Sequence, residues 1–254
     1  MRFIDSHCHL DFDELADNLT EYMSDAKASG IERFVVPGIS LTQSKSLLAF
    51  QQQHPSCHIA FGLHPYFLTE RSVEDMPHLA ALAAQHKAKL IAIGECGIDS
   101  HCDDLALQQV LFKEHIKLAN QLGLPLIVHH RQSHHLIAQA FKQVVPQFGG
   151  VIHAFSGSRQ QAEYYIKLGF KLGIGGTITY ARARKTRDVV SSLPLSNFVL
   201  ETDAPSMPVY GFQGQINVPV RLVDIFEQVC QLRTEPPEVI AQALYKSSRE
   251  LFSL

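Results

Sequence analysis

The stretch KLIAIGECGIDSHCDDLALQQVLFKEHIKLANQLGLPLIVHHR, Lys89–Arg131, decides how the chain folds. It opens on a short apolar run, Lys89–Gly94, and closes on another, Pro125–Val128. Short runs of Ile, Leu and Val suit strands buried on both faces. Between them, Leu105–Leu122 repeats its apolar residues at helical spacing, and Gly123 stands where a helix stops. Strand, helix, strand with both strands buried is a parallel βαβ unit. Polar chemistry follows each strand directly: Glu95 after the first, then His129, His130 and Arg131 after the second.

The same unit repeats in both directions. Upstream runs are Arg2–Asp5, Glu32–Pro37 and His58–Leu63; downstream runs are Gly150–Ile152, Phe170–Ile174 and Asn197–Leu200. Helical periodicity fills Asp13–Ala28, Leu41–Gln53, Ser133–Val145 and Ser158–Leu168, with Gly30 and Gly169 at further helix ends. Eight units in about 200 residues predict a closed (β/α)8 TIM barrel of α/β class, one domain over residues 1–254. Val220–Leu232 and Pro237–Phe252 add C-terminal helices. The alternative, an open doubly wound sheet, commonly carries a Gly-rich first turn. No GxGxxG follows the first strand, and no phosphate-binding GxxxxGK[ST] occurs.

The chain has 254 residues, 46% apolar and 19% charged, with a net charge of -3. That balance excludes a disordered chain and argues against an extended duplex-DNA interface. The five cysteines, Cys8, Cys57, Cys96, Cys102 and Cys230, form no CxxC pair and fit reduced thiols. MRFIDSHCHL lacks the pattern of a secretory leader, and no apolar run is long enough for a membrane span, so a cytoplasmic protein without a membrane partner is expected.

Barrel active sites lie at the C-terminal ends of the strands. There stand His7 and His9 after the first strand, His64 after the third, Glu95 after the fourth and His129 after the fifth. His153 follows the sixth strand and Asp203 the eighth. On a strand, His7 and His9 share a face while Cys8 points away. With His129 and His153 they make four imidazoles, a donor set for Zn, Mn or Ni, with Mg a further choice for activity. Glu95 offers two oxygens that can bridge ions, and Asp203 can bind an ion or take a proton. Paired acids without metal would leave the histidines unused, and a serine nucleophile has no GxSxG to support it.

The motifs DSHCHLD (Asp5–Asp11), GLHP (Gly62–Pro65), IGECGID (Ile93–Asp99), PLIVHHR (Pro125–Arg131), HAFSGS (His153–Ser158), GIGG (Gly173–Gly176) and LETDAP (Leu200–Pro205) follow one another along nearly the whole chain. As a set they resemble the TatD family of metal-dependent hydrolases, within the amidohydrolase-like barrels. The resemblance implies that His7, His9, Glu95, His129, His153 and Asp203 hold two divalent ions, with Asp203 and Glu95 as catalytic residues. It also implies, for several members, nuclease activity on DNA. Two departures lie near the mouth of the site. Nuclease-type members carry Arg-Asn-Glu-Pro after the eighth strand, where this chain has Ile216-Asn217-Val218-Pro219. An aromatic pair common after the GID motif is replaced by Ser100-His101.

These readings give a metal-dependent phosphodiesterase, acting 3′ to 5′ on single-stranded DNA ends, as the first expectation. An amidohydrolase or esterase acting on a small C–N or C–O bond is the second, and a non-catalytic metal-binding protein the third. His64 and Arg131 are candidate substrate contacts. Glu201, two residues before Asp203, is a candidate for orienting a metal-bound histidine. Arg182, Arg184, Lys185 and Arg187, after the seventh strand, form either a polyanion-steering cluster or a solvated first helical turn.

Overall fold

A computed structural model describes all residues 1–254. The strands are β1 (Phe3–Asp5), β2 (Ile31–Pro37), β3 (Cys57–Phe61), β4 (Leu90–Asp99), β5 (Leu126–Arg131), β6 (Gly150–Ile152), β7 (Phe170–Ile174) and β8 (Phe198–Leu200). The helices are α1 (Asp13–Ala16), α2 (Leu19–Ala28), α3 (Leu41–Gln53), α4 (Ser72–Gln85), α5 (Leu105–Leu122), α6 (His134–Gln143), α7 (Arg159–Lys167), α8 (Arg184–Ser192), α9 (Leu222–Leu232) and α10 (Pro237–Phe252). The strands form one sheet in chain order, β1 to β8. Ser6 N–H donates to Leu200 O at 2.9 Å and ties the first strand end back to the eighth. The expected (β/α)8 barrel with extra C-terminal helices is therefore present.

The chain groups into two compact units, Met1–Val36 with Ala154–Leu254, and Pro37–His153. In the first, β1 pairs with β2 (Ile4 with Arg33) and β7 with β8 (Gly173 with Val199). Its core holds Phe34, Phe170, Leu172, Phe198 and Val199, with Phe226 of α9 placing its ring 4.8 Å from that of Phe3. Ile240, Leu244 and Phe252 of α10 are buried on the same core, the inner stripe of an amphipathic helix.

In the second unit β3, β4, β5 and β6 run parallel, with Gly97 opposite His129 and Asp99 opposite Arg131. The long helix α5 buries Leu111, Phe112, Ile116 and Leu122. Asp104 caps its start by accepting from Leu107 N–H at 2.9 Å, and Gly123 ends it at φ 66°, a conformation a side chain would strain.

The sequence placed most elements within two residues. Three readings change. The fifth strand, expected to end at Val128, runs on to Arg131 and so contains His129, His130 and Arg131. The helix expected over Asp13–Ala28 breaks at Asp17–Asn18 into α1 and α2. The fourth strand runs on through Gly94-Glu95-Cys96-Gly97 to Asp99, so Glu95, Gly97 and Asp99 share one face.

Candidate metal centre

In the first unit the reach of His7 and His9 does not come from strand alternation, because β1 stops at Asp5. It comes from backbone bonds to the segment after β8. Asp203 N–H donates to His7 O at 2.9 Å, and His9 N–H donates to Ala204 O at 2.7 Å. Cys8 is drawn the other way, its N–H donating to Val35 O at 3.0 Å, so its thiol stays off the site as expected. Asp203 adopts a left-handed backbone, φ 57°, which turns its carboxylate back towards the histidines. The Nε2 atoms of His7 and His9 lie 3.3 Å apart, and Asp203 Oδ1 lies 3.6 Å from the first and 3.7 Å from the second. Three donors about 2.1 Å from one tetrahedral ion would stand about 3.4 Å apart. Two buried imidazole nitrogens and a carboxylate oxygen at these separations fit a divalent metal in geometry and in chemistry. Phe12 stacks on the His9 ring at 4.7 Å and limits its rotation.

Behind these donors lies a residue the sequence reading passed over. Asp5 is fully buried and accepts from Thr202 Oγ1–H at 2.6 Å and Thr202 N–H at 3.0 Å, and from His7 N–H at 3.3 Å. Thr202 Oγ1 in turn accepts from Ala204 N–H at 3.2 Å. Burial, offset in part by these bonds, pushes the Asp5 carboxyl up to about 7. Asp5 and Thr202 therefore clamp the chain on either side of His7 and Asp203.

Asn217 holds the other end of the Asp203 loop. Its side-chain amide donates to Thr202 O and Ser206 O, both at 2.8 Å. Val218 follows it, half-buried.

Glu201 holds the backbone directly after His153. Its Oε1 accepts from Ala154 N–H at 2.5 Å, and Ala154 has φ 45° directly after His153. Gly173 makes room for it: a Cβ there would stand 2.2 Å from Glu201 Oε2.

In the second unit Glu95 is buried between two imidazoles. His64 Nε2 lies 3.2 Å and His129 Nδ1 3.1 Å from Glu95 Oε1. His64 Nδ1 accepts from Tyr66 N–H at 3.0 Å, which leaves its Nε2 to donate to Glu95. His129 Nε2 lies 3.0 Å from Asp99 Oδ2, a carboxylate–histidine pairing typical of the surroundings of metal ligands. Burial lowers the basicity of His129, but its bonds to Asp99 and Glu95 outweigh this and hold its pKa above the usual value. Burial raises the Asp99 carboxyl, and the bonds from His129 and from His101 N–H outweigh it and hold it low. The His153 ring stacks near His129 at 6.4 Å between centroids, and its N–H donates to Val128 O. The three groups His64, Glu95 and His129 bring their ligand atoms within 4.8 Å of one another.

Asp99 was missed although its place on the Glu95 face could have pointed to it. Arg131 is exposed beside Asp99, its backbone O accepting from Ser100 N–H at 2.9 Å. Ser100 Oγ–H, in the segment that departs from the family pattern, donates to Gln132 O at 3.1 Å. His115, also unforeseen, is fully buried under the His64 segment. It accepts from Leu63 N–H at 3.0 Å through Nε2 and lies 2.7 Å from Leu111 O through Nδ1. Desolvation lowers its pKa to about 4, so the ring is neutral.

A parallel (β/α)8 barrel with histidines and carboxylates at its strand ends is a scaffold suited to metal-dependent hydrolysis. The family described as TatD related DNase matches residues 4–253. The metal-dependent hydrolase YjjV of Escherichia coli K12 is 42% identical over 255 residues, covering 100% of this chain and 98% of that protein. The crystal structure of that TatD homologue superposes with a TM-score of 0.95 over 100% of this chain and 98% of the other. The 3′-5′ ssDNA/RNA exonuclease TatD of Cronobacter sakazakii is 30% identical over 91% of this chain and 90% of its own length. The chain belongs to the TatD family of metal-dependent hydrolases. No helix is long and apolar enough to cross a membrane.

Proposed function

We propose that this hydrolase is a phosphodiesterase that trims single-stranded DNA from the 3′ end, working as one catalytic domain. The observation that carries the proposal is the pair of clusters at strand ends, His7–His9–Asp203 and Glu95–His129, the second with His64 bonded to Glu95. Family membership and the exonuclease among the relatives support the same reading. In it His7, His9, Glu95, His129, His153 and Asp203 hold two divalent ions of Zn, Mn, Mg or Ni. Bound there, such ions supply Lewis acidity towards a phosphoryl oxygen and acidify water.

The chain's own groups do the rest. Asp203, 13% exposed and fixed through Thr202 and Asp5, takes the proton of the attacking water at its carboxylate. His64 holds Glu95 in place by its Nε2–H, and Asp99 does the same for His129. Arg131, exposed at the end of β5, contacts the phosphate of the substrate. Val218, in place of the nuclease-type carboxylate, favours a second reading, hydrolysis of a small C–N or C–O bond by the same groups.

The test is degradation of 5′-labelled single-stranded DNA by metal-stripped protein after return of Mg, Mn or Zn, with Asp203→Asn as control. Shortening that the control abolishes supports the phosphodiesterase. No shortening by protein that holds metal refutes it and leaves the second reading.

A further inference from the structure

The segments after β7 and β8 carry a feature that the metal centre does not use. Thr177, Tyr180, Arg182, Ala183, Met207 and Pro208 line a cavity of about 270 Å³, near the lower end of small-molecule pockets. Its floor is fixed: Tyr180 Oη–H donates to Pro208 O at 2.8 Å. The Arg182 guanidinium lies over the Tyr180 ring, 4.8 Å from its centroid. The Tyr210 ring lies beside that of Tyr180 at right angles to it, 5.8 Å between centroids at 86°. Tyr210 N–H donates to Thr179 Oγ1 at 2.8 Å, so its backbone is anchored, yet the residue is 68% exposed. An anchored aromatic ring that contributes so little to the core is placed for contact with something outside it.

The charges around it point the same way. Arg187 is accounted for, donating to Ile178 O at 2.9 Å. Arg182, Arg184 and Lys185 are exposed, and none is engaged by an acid. Arg184 and Lys185 open α8, where the helix dipole disfavours cations. In a chain of net charge -3, three cations without acidic partners beside two aromatic rings form a local exception. Flat rings with unpaired cations match an unstacked base and its flanking phosphates. They match an acidic peptide less well, since it has no face to stack.

We infer that Tyr180, Arg182 and Tyr210 form a nucleoside subsite, in which a base of a single strand stacks on Tyr210 while Arg182, Arg184 and Lys185 take the adjoining phosphates. The inference rests on the phosphodiesterase reading and names the part of the substrate held away from the reacting bond. The cavity wall at Met207 and Pro208 belongs to the same loop as Asp203, and Asn217 pins that loop at Thr202 and Ser206. A base held there keeps the strand in register with the reacting groups.

The test uses the full chain, stripped of metal so that nothing is cleaved. Binding of a fluorescein-labelled thymidine pentanucleotide is compared by anisotropy with that of an abasic pentamer of equal charge. The thymidine strand should bind more tightly. Tyr210→Ala should weaken it about 5- to 100-fold and leave the abasic strand unchanged, while Tyr210→Phe should restore the preference. Arg182→Ala should weaken both strands and reduce the salt slope by about 0.7. Equal affinity for the two strands, or no effect of Tyr210→Ala, overturns the subsite. So does equal competition by poly-glutamate, which would mark a patch that reads charge alone. Returning metal then separates the claims. Base-dependent binding without cleavage leaves the subsite standing and removes the phosphodiesterase; cleavage without base-dependent binding does the reverse.

Discussion

Thr202→Val removes one hydroxyl from the clamp behind the metal centre and little else. Valine keeps the shape of threonine, so the change opens no cavity. It deletes the 2.6 Å bond to Asp5 Oδ2 and the acceptor for Ala204 N–H at 3.2 Å. Each bond is worth about 1 kcal/mol, and an Asp5 oxygen left buried without its donor costs about 1–2 kcal/mol more. The expected loss is about 3 kcal/mol, or about 6–12 °C in melting temperature for a chain of this size. Urea unfolding of metal-stripped protein, followed by circular dichroism because the chain has no tryptophan, reads this as a lower midpoint at unchanged slope. His7 and Asp203 flank the clamp, so metal affinity should fall about 10- to 100-fold, the usual effect of losing a group behind the ligands. A stability loss under about 0.5 kcal/mol, with metal affinity intact, would refute the view that Asp5 and Thr202 position the site.

Other consequences follow from particular residues. His115 is neutral when folded, with its pKa lowered to about 4 from 6.5 by burial, so the unfolded chain binds the extra proton between those values. Stability should be fully present above about pH 6.5 and fall as the pH drops through about 4, by about 3 kcal/mol in all. His115→Gln should flatten that part of the pH–stability curve, and an unchanged slope would reject the assignment. Gly173→Ala would set a Cβ 2.2 Å from Glu201 Oε2 and push the carboxylate off Ala154 N–H. Lower metal affinity and a loss of about 2 kcal/mol or more are expected, read by calorimetry and denaturant unfolding. Val218→Glu adds a carboxylate beside Asn217, where the resemblance to nuclease-type members implies one. On the proposed phosphodiesterase reading DNA trimming should rise, and an unchanged rate would reject a role for this position.

How far the sequence could be read depended on the range of the interactions. Short buried strands and periodic helices are local, and most of the barrel followed from them. The ligand candidates were legible for the same reason, since each directly follows an apolar run. His7 and His9 converge by another route than strand alternation: β1 ends before them, and bonds to Asp203 and Ala204 set their direction. The clamp joins residues 197 positions apart, and no local pattern announces Thr202 as a partner of Asp5. Asp99 was hidden because the glycines at 94 and 97 read as a strand end, whereas β4 continues through them. Among the basic residues after β7, sequence could not separate Arg187, spent on a carbonyl, from the exposed Arg182 beside Tyr180.

On the proposed reading, His7, His9, Glu95, His129, His153 and Asp203 hold two divalent ions. Titration of metal-stripped protein with Zn or Mn in a calorimeter, with metal content checked after dialysis, tests it directly. Two equivalents are expected for the natural chain and fewer for Glu95→Gln, His7→Ala and His129→Ala, each still folded by circular dichroism. One equivalent throughout, or a stoichiometry that these substitutions leave unchanged, would contradict it.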